Sequence, residues 1–119
     1  MLYSKQNLYE NYFIIGPLTL DICNKLAYTN MGTGLFLSPC QFDMLHALAL
    51  KENEPLSFHD IFDASHKAKT LDISDAFKQL YELIQIIKEA GLGFMWIEKT
   101  RDNYCFVTKW NRARAVLAI

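Results

Sequence analysis

Residues 35–62 read LFLSPCQFDMLHALALKENEPLSFHDIF, and this stretch decides the fold. It reads as the end of a strand, a capped amphipathic helix, a polar turn and a second capped helix. Ser38 suits the first cap, because its hydroxyl can accept from the unpaired amides of the opening turn. Pro39 follows at the first helical position, where its missing N–H costs nothing. Phe42, Leu45, Leu48 and Ala49 then recur at helical spacing and make one buried face. Glu52, Asn53, Glu54 and Pro55 stop that helix, since the residue before a proline is pushed out of the α region. Ser57 caps again, and Phe58, Ile61 and Phe62 supply the next apolar face.

Working outward, strand-like runs fall at 13–15, 18–22, 25–28 and 35–37. Turn signals at Gly16-Pro17, Cys23-Asn24 and 30–34 separate them, so a small antiparallel sheet of hairpins is expected. Residues 63–70 form a polar connector. Asp72 or Ser74 then caps a third and longest helix that ends at Gly91. Its apolar positions Ile73, Phe77, Leu80, Ile84 and Ile87 step by four, three, four and three, as a buried stripe does. Leu83 and Ile86 lie beside that stripe and widen it, which hints at a second packing partner. Phe42, Leu45, Phe77 and Leu80 are expected core residues. Strands at 94–97 and 104–107, joined by Arg101-Asp102-Asn103, make a final hairpin. The expected architecture is α+β: an N-terminal antiparallel sheet, three helices and a C-terminal β-hairpin. Residues 1–11 form a lead-in expected to be mobile, 12–108 a single domain and 109–119 a basic tail.

The chain has 119 residues, of which 51% are hydrophobic and 13% aromatic, ample for a core and unlike a disordered segment. No apolar run is long enough to cross a bilayer, and no signal peptide is expected at the start. The three cysteines, Cys23, Cys40 and Cys105, are odd in number and far apart, which suits a reducing compartment and a cytoplasmic location. Catalysis finds little support. His46 sits near the apolar face of the first helix, and His59, Asp60 and His66 match no zinc spacing. Cys40, near a helix N-terminus, is expected to have a slightly lowered pKa but has no partner base. No phosphate-binding or nucleophile motif is present, so the chain is expected not to be an enzyme and to carry no cofactor or metal.

Two short helices joined by a tight polar turn are the frame of a helix-turn-helix. The order of elements resembles the winged-helix effector domain of OmpR/PhoB-type response regulators, over roughly residues 13–107. Gly16-Pro17-Leu18-Thr19-Leu20-Asp21 is similar to that family's opening strand. Residues 37–48, LSPCQFDMLHAL, resemble its "L-T/S-P-x-E-F-x-L-L-x-x-L" signature. Residues 56–62, LSFHDIF, resemble its "V-S-R-E-x-L" second helix, and Tyr104-Cys105-Phe106 falls where its wing carries "G-Y-R-F". At this length the sequence leaves no room for a receiver domain, so a stand-alone, divergent form is expected.

The resemblance implies that the third helix lies in the DNA major groove, with the hairpin as a wing beside it. The exposed face expected for that helix holds Asp75, Lys78, Gln79, Glu82, Gln85 and Glu89, three acids against one lysine. That is a poor surface for neutralising phosphates, although Gln79 and Gln85 could pair with adenine edges. The bases gather late: Lys99, Arg101, Lys109, Arg112 and Arg114 face only Asp102. Lys67 and Lys69 in the connector could add phosphate contacts. Two readings therefore stand. One is a DNA-binding transcriptional regulator that contacts duplex through these residues. The other is a winged-helix module for protein contact, most simply a homodimer, with DNA binding weak or lost.

Overall fold

The structure, a computed structural model, describes residues 11–65, 71–93 and 95–108. All of the expected lead-in except Asn11, the basic tail, and Lys67 and Lys69 lie outside those residues. Four strands come first: β1 (Tyr12–Ile15), β2 (Leu18–Asp21), β3 (Leu26–Thr29) and β4 (Gly34–Leu35). They pair antiparallel in chain order. The register sets Phe13, Leu20, Ala27 and Leu35 in one row, so alternate side chains enter the core together. The turn into β3 is held by Asp21, whose carboxylate accepts from the Asn24 amide at 3.1 Å and its side chain at 2.9 Å. Lys25 then takes a left-handed conformation and reaches Asp43 on the next helix, at 2.6 Å.

Helix α1 (Pro39–Leu50) opens on a full capping box. Gln41 N donates to Ser38 Oγ at 3.1 Å, and Ser38 N donates to Gln41 Oε1 at 3.0 Å. After α1 the chain adds a short strand that the local sequence does not signal. β5 (Leu56–Ser57) pairs antiparallel with the last described strand through Leu56–Tyr104 and Ser57–Asn103. Ser57 and Asp60 form a second capping box for α2 (Phe58–Ala64). α3 (Ile73–Glu89) starts at Asp72 without a side-chain cap bond and stops at Ala90 before a left-handed Gly91. β6 (Met95–Lys99) and β7 (Asn103–Thr108) complete a three-stranded sheet in the order β5-β7-β6.

The core joins the N-terminal sheet, the inner faces of all three helices and the hairpin, with Leu20, Phe42, Leu45, Ile61, Leu80, Leu83 and Phe106 fully buried. Asn53 ties the turn after α1 to the end of β7. It donates to Thr108 Oγ1 and accepts from the Thr108 amide, both at 2.9 Å.

The expected stripe of α3 is corrected. The buried residues are Ala76, Leu80, Leu83 and Ile87, rotated from the expected line. Ile73 is 58% exposed and Phe77 44%, so neither is a core residue. Leu83, expected beside the stripe, is one of its members and is fully buried.

Candidate nucleic-acid interface

The N-terminus of α1 holds α3 in place. Ser38 Oγ donates to Gln79 Oε1 at 2.7 Å. The Gln41 side-chain amide donates to the Gln79 carbonyl at 3.2 Å and to Glu82 Oε1 at 3.4 Å. Gln41 is 4% exposed, so its end of these bonds is shielded from water. The residues that cap α1 therefore also fix the rotation of α3.

That rotation turns a second apolar line outward. Ile73, Phe77, Tyr81 and Ile84 share one side of α3 by helical spacing. Tyr81 is 64% exposed. Phe77 stacks on Phe58 of α2, with ring centroids 3.8 Å apart and planes 13° from parallel. Between this line and the hairpin lies a cleft of about 470 Å³, lined by Phe77, Lys78, Tyr81, Glu82, Ile84, Lys99 and Tyr104. Tyr104 is buried at its base, and burial pushes its phenol pKa up. Lys99 stands over the Tyr104 ring, 5.6 Å from its centroid. Arg101 is exposed at the hairpin tip, where the Thr100 amide donates to the Asn103 carbonyl at 2.9 Å and closes the turn.

Of the residues expected to meet DNA, Lys78 and Lys99 line one cleft, and Arg101 is exposed at the hairpin tip. Gln85 is half-buried. Gln79 leans toward α1, and its side-chain oxygen is engaged by Ser38. Lys67, Lys69, Lys109, Arg112 and Arg114 lie outside the described residues. Sequence reasoning misses Tyr81 and places Phe77 in the core. The signal that could have found both is the breadth of the apolar arc on this helix, which the sequence pattern attaches to Leu83 and Ile86.

The other titratable candidates are structural. Burial and then the charge of Asp43 push the Cys40 thiol up, which corrects the expected lowering by the helix N-terminus. Burial and then Glu98 raise Cys105 in the same way. Among the described residues, no group of three or more His, Cys, Asp or Glu is placed to hold a metal ion, and no helix is long and apolar enough to cross a membrane.

No protein-family model matches this sequence, and no curated protein matches it. Solved structures do. The DNA-binding domain of the response regulator AdeR, in complex with an intercistronic region, superposes with a TM-score of 0.63 at 12% identity, covering 80% of this chain and 98% of that one. The DNA-binding domain of CpxR from E. coli gives 0.64 at 18% identity, over 82% and 96%. The Klebsiella pneumoniae RstA DNA-binding domain, in complex with the RstA box, gives 0.61 at 21% identity, over 81% and 96%. The chain thus has the winged-helix fold, with three helices followed by the β6–β7 hairpin in the place of the wing. This is the fold that the local resemblance around residues 37–62 implied.

Proposed function

We propose that this chain is a DNA-binding transcriptional regulator of winged-helix type, which meets duplex DNA with α3 and the wing. The observation that carries the reading is its likeness to nearly the whole length of three DNA-binding domains, two of them solved with DNA. Lys78, Lys99 and Arg101 are the expected phosphate contacts on the described part of that surface. Lys67, Lys69, Lys109, Arg112 and Arg114 would extend it, and Gln85 is better placed than Gln79 to read a base. The reading takes residues 12–108 as one domain flanked by a lead-in and a tail. It gives the chain no catalytic role and a cytoplasmic location, in keeping with three free cysteines.

The test is a salt titration of binding to labelled random-sequence duplex. If Lys99 and Arg101 each neutralise one phosphate, Lys99→Ala and Arg101→Ala should each lower the slope of log affinity against log salt by about one. Absence of binding even at low salt would sink the reading. A second reading is protein contact through the same surface. The exposed Ile73, Phe77 and Tyr81 favour it, as do the acids Asp75, Glu82 and Glu89.

A further inference from the structure

We propose that this chain pairs with a second copy of itself through the outward face of α3, and that pairing and DNA binding exclude each other. The second half rests on the DNA-binding reading. The first stands on the face alone.

Ile73, Phe77 and Tyr81 expose large apolar surface along one side of a helix whose core contacts are already made by Ala76, Leu80, Leu83 and Ile87. A duplex groove offers phosphates and polar base edges, so it has little to set against this line. A second copy has the same line. A two-fold contact requires a patch complementary to itself. Here the charges beside the apolar line meet that condition. Lys78 and Glu82 are both exposed and four residues apart, on either side of Tyr81 in sequence. An antiparallel approach with its two-fold axis near Tyr81 sets Tyr81 against its own copy. It brings Phe77 toward Ile84 of the second copy, and Lys78 toward Glu82 of the second copy. The reciprocal pairs follow by symmetry. The cleft between α3 and the wing is open to receive the incoming aromatic ring.

Size sets the strength. From Ile73 to Ile84 the line is about 17 Å long at about 1.5 Å per residue. One helix face of that length falls short of the roughly 1,200–2,000 Å² that stable interfaces bury. The pair should therefore form and part readily with concentration. Its interface would cover the helix that the DNA-binding reading places in the groove, along with Lys78 and one side of Lys99. A chain paired in this way has no recognition surface free.

Sedimentation of the full chain without DNA tests the pairing. The chain should shift from monomer to dimer as concentration rises. Lys78→Glu and Glu82→Lys should each remain monomeric alone, and an equal mixture of the two should regain the dimer. Because Glu82 also touches Gln41, circular dichroism should confirm that each variant is folded. Tyr81→Ala, which removes an exposed ring, should abolish the dimer without changing the fold. A chain that stays monomeric at every concentration overturns the proposal, and so does a mixture that fails to pair.

For exclusion, donor and acceptor dyes on the exposed Cys23 report pairing by energy transfer. Adding a short duplex with room for one chain should abolish transfer as the duplex binds. Duplex bound with transfer intact overturns the exclusion. Transfer intact with no duplex bound overturns the DNA-binding reading and leaves the pairing standing.

Discussion

Helix α1 buries eight of its twelve residues, whereas α3 buries four of its seventeen. Composition accounts for part of this, since α1 carries one charged residue, Asp43, whereas α3 carries Asp75, Lys78, Glu82, Lys88 and Glu89. Position accounts for the rest. The N-terminal sheet, α2, α3 and the hairpin surround α1, and nearly every side of it meets a neighbour. α3 has α1 on one side, β6 on another and Phe58 of α2 against Phe77, and much of the rest of its circumference faces solvent. Its outward Ile73, Phe77 and Tyr81 are thus a surplus that the core does not use. Surplus apolar surface on a small domain marks a place where something else packs.

The sharpest way to break this contrast is truncation on both sides of it. Leu45 of α1 and Leu80 of α3 are fully buried. Leu45→Ala and Leu80→Ala should each cost roughly 2–5 kcal/mol in urea unfolding, as buried leucines do. Phe77→Ala should cost only about 0.5–1.5 kcal/mol, the scale of its stacking on Phe58. Tyr81→Ala should fall within about 0.5 kcal/mol of the parent. Equal losses at Phe77 and Leu80 would mean that α3 is rotated toward the expected stripe and that its outward line is core.

The next test sharpens how the rotation is set. Gln41 belongs to α1 but directs its side-chain amide to Gln79 and Glu82 of α3. Gln41→Leu keeps the volume and removes those bonds along with half of the capping box. It should destabilise by about 0.5–1.5 kcal/mol, the net worth of such bonds, because the Ser38 amide and Gln79 carbonyl lose a partner where they are only half-buried. It should also change the accessibility of Phe77 and Tyr81 to chemical labelling. A Gln41→Leu protein with parental stability and labelling would show that apolar packing alone orients α3.

The same contrast explains what could be read in the sequence. The caps at Ser38 and Ser57 form as expected, and a side chain three residues on, Gln41 or Asp60, completes each as a capping box. The hairpins of the N-terminal sheet and the wing are equally local. β5 was not legible, because Leu56 and Ser57 become a strand only by pairing with Tyr104 and Asn103, far along the chain. The phase of α3 was not legible either. The helix carries two apolar lines, 76-80-83-87 and 73-77-81-84, and the expected line took members from both. Periodicity shows that a helix has an apolar side, but only tertiary neighbours choose between two such sides. The cleft inherits that difficulty, since it needs both the rotation of α3 and the distant wing.

The smallest expected effect lies where α1 itself reaches the surface. His46 is half-buried, with Phe13 and Phe42 rings 5.9 and 6.3 Å from its own. Burial lowers its pKa from the ordinary value of 6.5. Asp43 opposes this in part, and Lys25 adds to it. The folded chain therefore holds this proton less tightly than the unfolded chain. Near pH 6.5 the unfolded state binds more protons, so the contribution of His46 to stability is complete above that value. It is lost as pH falls through about 6.5 toward the lower folded value. The melting temperature of the parent should drop as pH goes from about 7.5 to about 5.5, on either side of the ordinary imidazole value. His46→Gln, which does not titrate, should show a shallower drop with the Lys25–Asp43 ion pair intact. Identical drops in the two proteins would mean that His46 is hydrated, and the close packing assigned to α1 would then end one turn earlier on that side.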